Sequence, residues 1–306
     1  MRATSLVGER ARSEVRSGMA DNTEVPPAQQ QAPPGETGAM TPRPQDEMRD
    51  WRGSGLLEGK RALITGGDSG IGRATAVGFA KEGADVAIVY LDDVEDDDAR
   101  HTAELVRAAG RRCELIKGDL GSEQFCEDAV LAAVDALGGL DVLVNHAGTQ
   151  AVETDFASMT TGQFDRTFKV NVYGMFWTTR AALPYLGEGS AIVNTGSVNG
   201  LRGNKSMMDY AASKSAVHTL TKSLAQSLAS KGIRVNCVAP GPVWTPLISS
   251  TFPEDKVEGF GSQAPMGRMA HPDEIAPSYV FLASSASGSY YSGEVLSPVG
   301  GETHPG

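Results

Sequence analysis

Tyr210 and Lys214 stand four residues apart in "YAASK", the only YxxxK spacing in the chain. On a helix that spacing puts both side chains on one face, so the ammonium reaches the surroundings of the phenol. A free tyrosine ionises near ~10, out of range for proton transfer at neutral pH, and a neighbouring positive charge lowers that value. A downward shift of ~3 units needs about 4 kcal/mol of differential stabilisation, within reach of a cation whose field is little screened in a partly desolvated site. The pair is therefore read as a general acid or base with its tuning charge. Ser197 lies thirteen residues upstream, where its hydroxyl can donate to a carbonyl oxygen on which negative charge develops. Each residue also has a plainer reading: a tyrosine snorkelling beside a surface lysine, or a serine forming a turn. The rest of the chain decides between them, because chemistry needs a cleft around these side chains.

The elements that would build such a cleft are short apolar runs: "RALIT" at 61, "VAIVY" at 86, "CELIK" at 113, "LDVLVN" at 140, "SAIVNT" at 190, "RVNCVAP" at 234 and "EVLSPVG" at 294. Val- and Ile-rich runs buried on both faces are what parallel strands need. Between them, "TAELVRAAG" and "EDAVLAAVDALGG" carry apolar residues at helical spacing and end in glycine. The alternation predicts an α/β fold, a single doubly wound domain with a central parallel sheet of about seven strands flanked by helices. Ligands of such folds sit at the carboxyl ends of the strands. "TGGDSGIG", Thr65 to Gly72, follows the first strand and opens a helix, so free backbone N–H groups and the helix dipole meet there, which suits a pyrophosphate. Gly66, Gly70 and Gly72 allow the tight turn and the close approach of backbone to phosphate, with Ser69 and Ile71 between them.

After the second strand the chain crowds carboxylates, Asp92, Asp93, Glu95 and Asp96 to Asp98. In a doubly wound fold that strand ends beside the adenosine ribose, so Asp92 is expected to bind the 2'-hydroxyl of NAD and to repel the 2'-phosphate of NADP. No Arg or Lys precedes Arg73 in the glycine loop, and none lies within residues 86 to 99, to receive that phosphate. Asp96 to Asp98 are read as the acidic start of a helix, stabilising its dipole. NAD is thus the expected cofactor, with NADP as the alternative.

The GxxxGxG spacing and the motifs that follow it in order resemble the short-chain dehydrogenase/reductase family, over about residues 57 to 300. Those motifs are "GDLG", "NHAG", "VNVYG", "NTGS", "YAASK" and "APGPVWT", with His146 standing where the family usually has Asn. The resemblance implies a Rossmann-type domain. It places Asp119 and Leu120 at the adenine, and Asn145, Ala147 and Gly148 in the turn after the fourth strand. Pro240, Gly241 and Thr245 follow as cofactor contacts. It gives Lys214 the nicotinamide ribose hydroxyls and Asn171 a water that relays protons, and it implies a homotetramer. The leader "PPG…MTPRP", "GPVWTPL" and the ending "VGGETHPG" are similar to those of a bacterial subgroup with an N-terminal extension, described as general oxidoreductases or aldehyde reductases.

Composition sets the outer limits. A formal net charge of -11 and 38 acidic against 27 basic residues disfavour nucleic acid or an anionic membrane as partner. Three cysteines without CxxC spacing fit a reducing compartment, and no apolar run approaches a membrane span, so the protein is expected to be cytoplasmic. Five scattered histidines, with no HExxH and no carboxylate cluster at ligand spacing, give no metal site. Residues 1–50 form a Pro- and Gln-rich extension, read either as a disordered leader or as an arm lying across the domain of residues 51–306 or a neighbouring subunit, and Met19 is read as the start of translation. Residues 244 to 263, where Pro246, Pro253 and Gly259 are expected to break any regular element, are a candidate substrate lid.

Together these features predict an oxidoreductase that moves a hydride between a nicotinamide dinucleotide and an alcohol, aldehyde or ketone. Tyr210 would be the acid or base, with Asn171, Ser197 and Lys214 completing the set. The alternative is a non-catalytic, dinucleotide-sensing protein on the same fold, for which Tyr210 would have no use.

Overall fold

The computed structural model describes residues 25–303; Met19 and His304 lie outside them. Seven parallel strands form one sheet in the order β3-β2-β1-β4-β5-β6-β7. They are β1 (Arg61–Thr65), β2 (Asp85–Tyr90), β3 (Cys113–Lys117), β4 (Val142–Asn145), β5 (Ala191–Thr195), β6 (Arg234–Val238) and β7 (Val295–Leu296). The helices are α1 (Gly70–Lys81), α2 (Asp96–Ala108), α3 (Glu123–Leu137), α4 (Thr161–Phe168), α5 (Met175–Ala182), α6 (Val198–Arg202), α7 (Met208–Leu228), α8 (Pro246–Thr251), α9 (Glu254–Val257), α10 (Pro272–Ala283) and α11 (Ser285–Gly288).

Alternation along each strand divides the core into two layers. In β1, Ala62 and Ile64 join the layer packed by α1, α2 and α10, through Phe79, Val106 and Tyr279. Leu63 faces the other layer, filled by Val130 and Leu137 of α3 and Leu228 of α7. The strands β4, β5 and β6 are buried throughout, their polar Asn145, Asn194, Arg234 and Asn236 included. The edge strand β3 is only half covered, and β7 shrinks to two residues. Strand order reverses between β1 and β4, where Leu63 lies opposite Leu143. The crevice for a ligand opens beyond their carboxyl ends.

One segment departs from expectation. Pro246 does not break the lid but begins α8, since the first helical residue has no intrahelical use for an N–H, and Pro253 caps α9 in the same manner. "VNVYG" falls in a six-residue π turn, Lys169–Gly174, set between α4 and α5.

Residues 25–50 lie along the domain in mostly extended conformation. Met40 packs with Trp244, Ile248, Val257 and Met269, and the Trp244 indole N–H donates to the Pro42 carbonyl at 2.7 Å. Asp46 is buried in an ion pair with Arg73 at 3.0 Å, and Arg73 is held on its other side by Asp98. The Met48 amide donates to the Asp273 carboxylate. Cys113, Cys126 and Cys237 are free and buried. No described helix is long and apolar enough to cross a membrane.

Candidate active site

A cavity of about 650 Å³ opens at the carboxyl ends of the strands, with the end of β2 and the lid segment both in its walls. Of the expected residues, Gly66, Ser69, Gly70 and Ile71 contribute the glycine loop; Asp92, Asp119 and Leu120 follow β2 and β3. Ala147 and Gly148 come after β4, Ser197 after β5, Tyr210 and Lys214 from α7, and Pro240, Gly241 and Thr245 from beyond β6. All of these line the one cavity.

Gly72, Asn145 and Asn171 do not. A Cβ on Gly72 would fall 1.8 Å from the Gly66 carbonyl oxygen, so this glycine exists to let α1 touch the loop that precedes it. The Asn145 amide is buried and donates to Thr179 Oγ1 and Asn194 Oδ1, joining β4 to α5 and β5. Asn171, carried by the π turn, spends both amide hydrogens on the Thr149 carbonyl and Ser213 Oγ, while its Oδ1 accepts from the Thr149 amide. Its contacts fix the loop beside Gly148 rather than reach the cavity.

The chemistry-bearing trio is compact. The Ser197 side chain caps α6 by accepting from the Asn199 amide at 3.2 Å, and its hydroxyl stands close enough to the Tyr210 phenol to favour ionisation of that phenol. Lys214 Nζ donates to the Thr195 carbonyl at 2.8 Å and lies 5.6 Å from the centre of the Tyr210 ring. His218 is neither surface nor spare: its Nε2 accepts from the Ser197 amide at 3.3 Å, one turn of α7 beyond Lys214. His146 bonds Thr195 Oγ1 through Nδ1, and Thr195 Oγ1 in turn meets Tyr279 OH at 2.8 Å. Among the described residues no cluster of His, Cys, Asp or Glu could hold a metal ion.

The profile described as Enoyl-(Acyl carrier protein) reductase matches residues 66–303. General stress protein 39 of Bacillus subtilis is 50% identical over 278 residues, covering 91% of this chain and 96% of that protein. Glucose and ribitol dehydrogenase of Daucus carota is 46% identical, covering 92% and 98%. Among solved structures, a short chain dehydrogenase from Burkholderia cenocepacia, in complex with NADP, superposes with a TM-score of 0.74 at 35% identity, covering 80% of this chain and 98% of its own. The chain belongs to the short-chain dehydrogenase/reductase family.

As a short-chain dehydrogenase/reductase it carries an electrostatic surprise. The spacing predicts a phenol pulled down by Lys214, yet burial pushes Tyr210 up to about 12, opposed only by the Ser197 hydroxyl. Burial also takes Lys214 down to about 8. Desolvation disfavours the charged form of both groups, and the lysine titrates first. When the phenol begins to ionise its neighbour is already neutral, so the spacing alone does not activate it. Burial likewise lowers His146 to about 3, which makes it a neutral hydrogen-bonding ring at working pH.

In another part of the cavity wall, Asp92 accepts from the Val94 amide and caps the turn after β2. Two further carboxylates line the same wall without having been expected there. Asp68, inside the glycine loop, is fully buried and raised by desolvation, and Glu95 accepts from the Leu91 amide at 2.6 Å and is pushed up to about 8, by burial first and by Asp68 next. An acid within a loop expected to receive phosphate was the available signal for Asp68. Nothing in the spacing tells that Glu95, rather than Asp96, turns inward. Asp119 is paired with Arg166 at 2.7 Å, which lowers its carboxyl despite the opposing effect of partial burial. Pro33 and Pro34 of the arm also line the cavity.

Proposed function

We propose that this chain is a cytoplasmic oxidoreductase that transfers a hydride between a nicotinamide dinucleotide and an alcohol, aldehyde or ketone, using NAD in preference to NADP. The observation that carries the reading is the meeting of Ser197, Tyr210 and Lys214 in the wall of one cavity that also holds the bare backbone of the glycine loop. The loop fits a dinucleotide: a Cβ on Gly66 would sit 2.9 Å from Ala147 Cα, and one on Gly70 3.0 Å from Thr245 Cγ2, so side chains there would close the cradle.

In this reading the N–H groups at the start of α1 receive the pyrophosphate, and Asp119 and Leu120 flank the adenine. Lys214 holds the nicotinamide ribose. When bound, the nicotinamide supplies or takes up the hydride. The Ser197 hydroxyl donates to the substrate oxygen, stabilising the charge that develops on it. Tyr210 gives that oxygen a proton in reduction and removes one in oxidation. Asn171 holds the Thr149 backbone in place and so positions the wall opposite Lys214.

Preference for NAD rests on charge. Asp68, Asp92 and Glu95 line the end of the cavity next to β2, and Arg73, the nearest cation of the loop helix, is already paired with Asp46 and Asp98. A 2'-phosphate would meet carboxylates and no unpaired arginine there. The Burkholderia relative's NADP complex makes this a difference to be measured. Fluorescence titration with NADH and NADPH above about pH 8, where Glu95 is charged, for the native protein and for Asp92→Ala and Glu95→Gln, should show tighter NADH binding that the substitutions narrow. Equal or tighter NADPH binding throughout would refute the preference, and binding of dinucleotide without turnover of any aldehyde, ketone or alcohol would favour a sensor.

A homotetramer is also proposed. The helix face made by α4, α5 and the π turn exposes Phe164, Tyr173 and Phe176, with Tyr173 stacked on Trp177 at 5.5 Å, an apolar surface suited to a second copy.

A further inference from the structure

The arm of residues 25–50 does more than lie on the domain, because two of its residues enter the wall of the cavity. Pro33 and Pro34 line it beside α8 and the glycine loop. Their position is fixed by neighbours on both sides. The Gln31 amide donates to the Ser249 carbonyl at 2.8 Å, the Gln31 side chain reaches Ser249 Oγ at 3.2 Å, and Ser250 Oγ donates to the Pro34 carbonyl at 3.0 Å. Gly35 follows in the left-handed region, φ +87°, and a Cβ on it would fall 2.9 Å from the Pro246 carbonyl oxygen. Pro246 in turn packs on Gly70, at 3.7 Å from where a Cβ of that residue would stand. The path from arm to lid helix to glycine loop is therefore two contacts long. Beyond it, the Thr37 amide donates to the Asp98 carboxylate, and Asp46 completes the ion pair of Arg73 and accepts from the Gly70 amide at 3.3 Å. The arm thus bridges the lid helix and the start of the phosphate-receiving helix.

We propose that the arm is part of the dinucleotide site: Pro33 and Pro34 complete the wall between α8 and the glycine loop, and residues 31–35 hold α8 down over the bound pyrophosphate. This rests on the reading of the cavity as a dinucleotide site. A lid secured at its outer face opens only when the arm yields, so the arm sets how fast the dinucleotide leaves. Affinity differences of this kind appear mainly in dissociation rates.

Gly35→Ala lifts the arm from α8 without altering a lining residue, because the added methyl meets backbone and the left-handed φ disfavours it. Gly38→Ala, in the same arm with nothing within 4 Å of the new methyl, is the control. Stopped-flow displacement of NADH should show release from Gly35→Ala roughly tenfold faster than from the native protein, a change of about 1.4 kcal/mol in the complex, and no change for Gly38→Ala. The converse variant, Gln31→Cys with Ser249→Cys, joins two positions whose side chains already touch, and the native cysteines are buried away from it. Its oxidised form should release NADH more slowly than the native protein and recover on reduction. Unchanged release in Gly35→Ala, when limited proteolysis shows its arm freed, would overturn the proposal. So would unchanged release from the cross-linked form, which keeps the test valid if Gly35→Ala does not fold. A native protein that binds neither NADH nor NADPH would instead sink the reading of the cavity itself.

Discussion

Replacing Lys214 with methionine keeps an unbranched side chain and removes its charge. The ammonium lies 5.6 Å from the Tyr210 ring centre, and at an effective dielectric of about 20 a unit charge at that distance favours a phenolate by about 3 kcal/mol, or about 2 pH units. In the free protein this attraction is idle, since Lys214 loses its proton near 8 and Tyr210 near 12. Titration of tyrosine absorbance in the free protein should therefore show the same high-pH phenol with and without Lys214. During turnover the ribose hydroxyls would accept from the ammonium and keep it charged, and there the two proteins should part. The rise of kcat with pH for alcohol oxidation, measured with both substrates saturating, should move up by about 2 units in Lys214→Met, and at about pH 7.5 the rate should fall about 100-fold. A uniform loss of rate with the midpoint unmoved would refute the reasoning and leave Lys214 as a ribose anchor only.

Tyr210→Phe keeps the ring and deletes the proposed proton carrier. kcat should fall by roughly 10²–10⁴-fold while NADH affinity, read by fluorescence, stays within about threefold. Glu95, raised to about 8 by burial and by Asp68, is neutral below that value and charged above it. The ratio of NADPH to NADH dissociation constants should thus grow as pH rises through about 8, and Glu95→Gln should flatten it. Because the folded-state value is raised, Glu95 contributes stability below the unfolded carboxylate range that is lost as pH climbs to about 8, so Glu95→Gln should raise the thermal midpoint more at alkaline than at acid pH. Phe176→Asp puts a charge in the exposed aromatic face of α5 and should lower the sedimentation coefficient; an unchanged assembly would place the subunit contact elsewhere.

Strands were the most legible part of this chain. "RALIT" and "CELIK" give the limits of β1 and β3 directly, because a run of β-branched and apolar residues between turn formers leaves little choice of boundary. Prolines misled at residues 246 and 253, where their meaning depends on whether a helix has yet begun. Side-chain direction was harder. Asn145 and Asn171 sit in motifs at the cavity but turn away from it, since buried amides go where donors and acceptors are, and those belong to Thr179, Asn194, Thr149 and Ser213 on other elements. The charge states of Tyr210 and Lys214 eluded spacing altogether, for spacing reports proximity and not burial. The arm's course was invisible for the same reason: a Pro- and Gln-rich stretch has no periodicity, and only the receiving surface of α8 and Arg73 gives it a place.

The six-residue π turn at Lys169–Gly174 makes one stretch of this chain intolerant of length change. Removing a single residue there would restore an ordinary helix and rotate everything beyond it by about 100°. Thr179 would swing away from the Asn145 amide that it now accepts from, and the exposed ring of Phe176 would be carried toward the core. Substitutions at these six positions change one side chain each, whereas a deletion among them reassigns inside and outside for all of α5. Variation in chain length is therefore expected in the loops and not between Lys169 and Gly174.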